Sequence, residues 1–277
     1  MKSYQLERRL SHADVDFLGE LKVGALLGLL EQAAVEASTE AGYGAARYTA
    51  EHRVWIIRRT RLRRLIPVGG GDTLEVRTAV ADIRRARSLR RYEVLHRTRL
   101  VAEATTDWVY CDLLTGKPTR IPPELQHALY GPDVPTLPRA DDLPRDPPQA
   151  ATEIRLVVQP SHLDHVRHVN NAIYTHFLED GAFALFGARG WPLERMLAAG
   201  GALRIARLDA EYLKDATAGD VLCLRSWCLD ESRADDEPPT TSELLQVIAR
   251  DDGVEMLRAR TYWIWRRTPQ VLGGVPE

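Results

Sequence analysis

The chain has 277 residues, 44% of them apolar and 27% charged, with a net charge of −2. That is the composition of a soluble globular protein, long enough for one large domain or two small ones. No run of about 18 apolar residues is present for a membrane span, the polar N-terminus is unlike a signal peptide, and three cysteines without metal spacing suit a reducing cytoplasm rather than a disulfide framework.

The first elements alternate in a readable way. A short strand is predicted from Tyr4 to Leu10. An apolar stretch rich in Ala and Leu follows over residues 21–41 and reads as a long helix, with Gly42 where such a helix would end. Strands are predicted at 53–66, 72–82, 88–97 and 100–111, the first two separated by Pro67 and a glycine run ending at Gly71. A short helix fits 122–129. One helix followed by an antiparallel sheet is an α+β order. Residues 131–150, rich in Pro and Asp, read as an extended linker.

The second half repeats the first at an offset of 148 residues. Asp16 aligns with Asp164, Glu31 with Glu179, Gly42 with Gly190, Arg59 with Arg207, and Gly71-Asp72 with Gly219-Asp220. After a seven-residue shift Trp108 aligns with Trp263; the polar run from Ala234 to Thr241 would supply the added length as a hairpin loop. Two copies of one fold are therefore expected, at 1–130 and 151–268. The first 130 residues carry a net charge of +5 and the remainder −7, so halves of opposite sign attract. Arg59, Arg61 and Arg63 alternate onto one strand face. Their equivalents are Arg207, Asp209 and Glu211, which suggests charges meeting across a pseudo-twofold. An exposed pair of that kind would contribute about 0–1 kcal/mol and set register more than stability. No stacking aromatics accompany the arginines, so nucleic acid is not an expected partner.

Residues 161–179 concentrate the chemistry. Asp164 and His168 precede a helix whose first turn Asn170 or Asn171 would cap. Free N–H groups and the positive end of the helix dipole would be available there to a polarised oxygen. The two copies differ at this place: Glu20 replaces His168, and Lys22-Val23 replaces Asn170-Asn171.

The pattern Asp-x-x-x-His-Val-Asn-Asn-x-x-Tyr, followed by Glu on the helix, resembles the signature of hotdog-fold thioesterases, and the acyl-carrier-protein (acyl-ACP) thioesterases in particular. Asp164, His168, Val169, Asn170, Asn171, Tyr174 and Glu179 carry it; Val166 stands where that family usually has Asn. The resemblance extends to Glu211-Tyr212-Leu213-Lys214-Asp215-Ala216, with Asp215 at an acidic position and Ala216 where the family has Cys. Hydrolysis would then be general-base work on water, not attack by a cysteine. It implies an α+β double hotdog, two long helices wrapped by antiparallel sheets. It also implies hydrolysis of an acyl thioester on carrier protein or coenzyme A. Asp164, His168, Asp215 and Glu179 are the catalytic candidates, and Asn170, Asn171 and Tyr174 the substrate contacts. The apolar stretch around Leu26–Leu30 would hold the acyl chain. No cofactor is expected, and homodimer formation stays open. Dehydration or cyclisation of an acyl thioester, and a non-catalytic acyl-binding module, are the alternatives.

Overall fold

The computed structural model describes residues 3–129, 142, 143, 148, 150–229 and 238–268, so most of the 131–150 linker and the first part of the expected hairpin loop lie outside the described residues. The first repeat runs β1 (Ser3–Arg9), α1 (Val23–Glu40), α2 (Ala45–Ala50), β2 (Arg53–Arg64), β3 (Thr73–Arg84), β4 (Arg87–His96) and β5 (Arg99–Asp112), then the short helix α3 (Pro123–Leu129). The second runs β6 (Thr152–Val157), α4 (Asn171–Ala188), α5 (Leu193–Ala198), β7 (Gly201–Tyr212), β8 (Val221–Cys228), β9 (Thr241–Arg250) and β10 (Glu255–Arg267). Helices α1 and α4, the short helices after them, and strands β2 and β7 coincide residue for residue at the 148 offset.

All ten strands form one antiparallel sheet in the order β1-β3-β4-β5-β2-β7-β10-β9-β8-β6. Under the repeat this order reads the same from either edge. Its centre is the β2–β7 pair, where Arg61 faces its own repeat equivalent, Asp209. Each repeat also carries a one-residue register slip at the corresponding place, beside Ile57 in β2 and beside Ile205 in β7. The fold is the α+β double hotdog that the repeat implied.

Charge does cross the junction, but not on an exposed face. Arg59 donates from Nε and Nη2 to the two carboxylate oxygens of Asp209 at 2.6 and 2.7 Å, with 10% of its side chain exposed. Two parallel charge-assisted bonds fix orientation as well as distance. Arg58 reaches Glu211 at 3.4 Å and donates to the Tyr212 carbonyl. The expectation of an exposed pair is corrected here: the sheet is continuous across the junction, so the pair sits mid-sheet instead of at an edge.

On the other side, α1 and α4 pack against each other and share one apolar core that draws residues from both repeats. Trp263 is fully buried there, flanked edge-on by Phe183 and Phe186. In the first repeat α3 covers a smaller cluster of Tyr43, Val80, Ile83, Tyr110 and Leu125.

The helices approach most closely at Gly24, whose repeat equivalent is Ala172. A Cβ on Gly24 would lie 2.9 Å from the Ala172 carbonyl oxygen and 2.8 Å from His176 Nε2. The carbonyl belongs to the facing helix and cannot step aside cheaply. Gly24→Val should therefore lower unfolding free energy by about 1–3 kcal/mol, the usual cost of overpacking. Chemical denaturation measures it; a variant as stable as the parent would show that the helices do not meet there.

Candidate active site

The loop before α4 is shaped by Asp164. Its Oδ1 accepts the backbone N–H groups of Val166 (2.9 Å) and His168 (3.3 Å), and its own N–H donates to the His168 carbonyl at 2.9 Å. Asp16 builds the same loop before α1 through Leu18 (2.8 Å) and Glu20 (3.1 Å). The aspartate that both copies retain is thus first a loop-forming residue. Asn170 spends its side-chain oxygen on the α4 cap, accepting from Ala172 N–H at 2.8 Å. The N–H of Asn171, the first helical residue, finds no acceptor among the described residues.

What each loop faces separates the two copies. Helices α1 and α4 lie side by side, each over the strands of its own repeat, so the Asp164 loop meets α1 of the first repeat. Glu31 stands on that helix, half-buried. Desolvation raises its pKa above the ordinary value of 4.5, the negative charge of Asp164 raises it further, and His165 opposes both. Glu31 and Asn171 line one small cavity with Leu27, Leu30, Ile57, Thr60, Tyr92, Thr106, Trp108 and Tyr212. A carboxyl of raised pKa beside a free helix N-terminus is an arrangement that can move a proton and polarise a carbonyl.

The Asp16 loop meets α4, and arginines fill the equivalent place. Asp16 Oδ2 pairs with Arg204 Nε at 2.7 Å, and the Arg204 guanidinium stacks over Phe17 at 3.7 Å. Arg64, the repeat equivalent of Tyr212, reaches Glu20 at 3.5 Å and donates to the Leu21 carbonyl at 2.9 Å. Arg266 lies 3.9 Å from Glu20. Glu179 joins this group: burial pushes its pKa up to about 7, and Arg204 and Arg64 pull against that rise.

The expected catalytic set is therefore divided. Asp164 does not line the cavity but is near enough to Glu31 for its charge to be felt there; Glu179 is elsewhere, with Asp16, Arg64 and Arg204 at the other loop. A helix carboxylate in this fold serves the opposite repeat. His168 and Asp215 come together, Nδ1 to Oδ2 at 3.6 Å, with about half of each side chain exposed; neither lines the cavity. Tyr174 is buried, with its ring 6.0 Å from that of Tyr212; burial raises its pKa, and Asp215 adds to the rise. Asn170 is a cap. Asn171 alone of the three expected substrate contacts lines the cavity. The reading of the residues passed over Glu31, His165 and the aromatic wall. The alignment of Glu31 with Glu179 was the available signal, since paired hotdogs place their sites between copies.

Residues 1–129 match the family model described as the acyl-ACP thioesterase N-terminal domain. No curated protein sequence matches the chain. The fold is that of an acyl-ACP thioesterase from Bacteroides thetaiotaomicron (TM-score 0.72, 20% identity, covering 95% of this chain and 98% of that one). It is equally that of a 12:0-ACP thioesterase from Umbellularia californica (TM-score 0.74, 18% identity, covering 95% and 98%). A Lactobacillus plantarum protein superposes with a TM-score of 0.77 at 17% identity, over 97% and 98% of the two chains. The chain is a tandem hotdog protein resembling the acyl-ACP thioesterases.

Glu179 carries a signature in stability. A carboxyl raised from 4.5 to about 7 on folding contributes stability that is whole below the lower value and lost as pH climbs to the upper. Between these limits the parent should lose about 1–3 kcal/mol relative to Glu179→Gln. Denaturant melts at pH 4.5 and pH 7.5 measure the difference. A constant gap would mean that Arg64 and Arg204 hold Glu179 ionised throughout.

Proposed function

We propose that this double hotdog hydrolyses an acyl thioester at one site, built from the Asp164 loop and α4 N-terminus of the second repeat and from Glu31 of the first. The protein is a thioester hydrolase, and acyl carrier protein is the carrier that the family match favours; coenzyme A is the other. The observation that supports this placement most is the half-buried Glu31 carboxyl of raised pKa sharing a cavity with Asn171. Water is a poor nucleophile at neutral pH, so a hydrolase of this type needs a positioned base. Desolvation brings Glu31 closer to the working pH, which is where general-base catalysis is most effective.

In the proposed reaction Glu31 takes a proton from water as the oxygen attacks the thioester carbonyl. The developing oxyanion is met by the Asn171 N–H and the α4 dipole. Collapse breaks the carbon–sulfur bond as Glu31 returns its proton to the leaving sulfur, releasing a carboxylic acid and a free thiol and restoring the carboxylate. Asp164 holds the loop that delivers Asn171, and its charge raises Glu31. His168 and Asp215, exposed together beside this loop, would serve at the surface, in carrier contact or proton exchange with solvent. The chemistry needs no cofactor, and a cytoplasmic enzyme, monomeric or homodimeric, is compatible with it.

A panel of acyl thioesters on both carriers, assayed for free thiol and for altered acyl product, tests hydrolysis against dehydration, cyclisation and simple binding. Within that assay, Asp164→Asn, which keeps the loop's acceptor oxygen but removes the charge that raises Glu31, should lower kcat/KM, by less than Glu31→Gln does. Asp16→Asn should leave turnover within a few-fold yet cost up to about 3–5 kcal/mol of stability, because it strips a charge partner from the buried Arg204. A larger activity loss in the Asp16 variant would place the chemistry in the other half. The acid limb of the parent pH–rate profile should lie above the ordinary carboxylate range, with activity lost as Glu31 protonates; a limb at the ordinary value would remove Glu31 from the reaction.

A further inference from the structure

The cavity beside Glu31 has two features that bear on which acyl group it takes. It is small: about 10 Å³ is free, room for about one water. Of the helix leucines expected to hold the acyl chain, Leu27 and Leu30 do line the cavity but are only 7% and 1% exposed, and Leu26, 1% exposed, is packed into the core. Tyr92, Trp108 and Tyr212 close what remains.

The wall is also polar, with an excess of donors. Trp108 Nε1 donates to Thr106 Oγ1 at 2.6 Å, and that oxygen shares a further bond with the Tyr92 hydroxyl at 2.9 Å. The three groups own three donor hydrogens and make two hydrogen bonds. Whichever hydroxyl donates, one O–H hydrogen is left over. The Tyr212 hydroxyl adds another: it is buried without a hydrogen bond of normal geometry, and its side-chain neighbour, the Thr60 hydroxyl, brings a donor hydrogen of its own. None of these hydroxyls is bonded to Glu31. Buried donors without acceptors are costly, and a wall that presents two of them to one cavity is matched to an oxygen arriving from outside the chain.

The other site shows what is particular here. Repeat equivalents of Tyr212 and Tyr92 are Arg64 and Gln246. Arg64 is satisfied by Leu21 and Glu20, and Gln246 by the Leu178 carbonyl and Ser226. The unpartnered donors differ in kind: beside Asp16 they are guanidinium nitrogens of Arg204, already paired in charge with Asp16, whereas beside Glu31 they are neutral hydroxyls on a cavity wall.

We infer that the acyl group hydrolysed here is short and carries its own oxygen, a 3-oxo or 3-hydroxy group, which the Tyr212 hydroxyl and the Tyr92–Thr106 pair bind. This deepens the thioesterase reading and rests on it. Any acyl group must widen a space that now admits about one water; a long saturated chain must displace more of the Tyr92 and Trp108 wall than a short one and leaves the donors unanswered. A site made to hydrogen-bond a substrate oxygen discriminates strongly against the analogue that lacks it, more than an apolar pocket does for one methylene.

The test compares 3-oxobutanoyl, 3-hydroxybutanoyl, butanoyl and dodecanoyl thioesters, each on coenzyme A and on acyl carrier protein. In kcat/KM an oxygenated four-carbon substrate should exceed butanoyl by at least about tenfold, and butanoyl should exceed dodecanoyl. Tyr212→Phe should reduce the oxygenated-to-plain ratio, and Trp108→Ala should raise dodecanoyl hydrolysis relative to butanoyl. A parent enzyme that prefers dodecanoyl, or treats oxygenated and plain chains alike, overturns the inference while leaving hydrolysis intact. Calorimetry with non-hydrolysable thioether analogues keeps the two readings apart. If no thioester is cleaved but the 3-oxo analogue still binds more tightly than the plain one, by a margin that Tyr212→Phe removes, the pocket stands and the hydrolase reading falls. Equal affinities there overturn the pocket.

Discussion

Everything in this molecule depends on the join between β2 and β7. That pairing turns two small sheets into one of ten strands and fixes the axis that relates the repeats. The bidentate Arg59–Asp209 bond sets its register on one face, and on the other the absence of a side chain at Gly24 lets α1 and α4 meet. A slip of one residue would turn the inner face of β7 outward. Tyr212 would then leave the cavity, and Glu31 would lose its opposite wall. The catalytic geometry is therefore a consequence of the join more than of either repeat.

Sharing helices across the axis yields two places of similar build, and they have diverged in opposite electrostatic directions. Beside Glu31 the neighbours are apolar groups and phenols, so the carboxyl is raised and stays available. Beside Glu179 the neighbours are Arg64, Arg204 and Arg266, with Asp16 and Glu20 completing a buried group of three positive and three negative side chains. Buried ion networks of this kind specify a geometry at considerable desolvation cost. One place keeps a proton-transfer group in a small dry cavity; the other has become structural. A chain with two copies can carry both outcomes, which a symmetric homodimer cannot.

How much of this was legible depends on the range of the interaction. The expected long helix and strands of the first repeat lie within one or two residues of those observed, and the 148-residue offset carries the helices and β2 onto their counterparts residue for residue, because an ungapped repeat imposes the same local rules twice; the short helices after α1 and α4 were not expected. The Asp164–Asn171 stretch was legible as a loop and helix entry for the same reason. The partner of that loop was not, since Glu179 is near in sequence and Glu31 is far. Only the side-by-side packing of α1 and α4 says which carboxylate arrives. The plugging of the first loop was equally out of reach: Arg204 and Arg64 sit in strands whose alternation does not reveal that they turn toward Asp16 and Glu20. The aromatic wall escaped because Tyr92, Trp108 and Tyr212 come from three strands with no common motif.

The account stands or falls on one composite site. Turnover of Glu31→Gln and Glu179→Gln on the best thioester of the panel, with folding verified for both, tests it most directly. Glu31→Gln should lose about 10²–10⁴-fold in kcat, while Glu179→Gln should stay within a few-fold of the parent. A severe loss in Glu179→Gln beside near-normal turnover in Glu31→Gln would contradict a site shared between the repeats at Glu31 and Asn171.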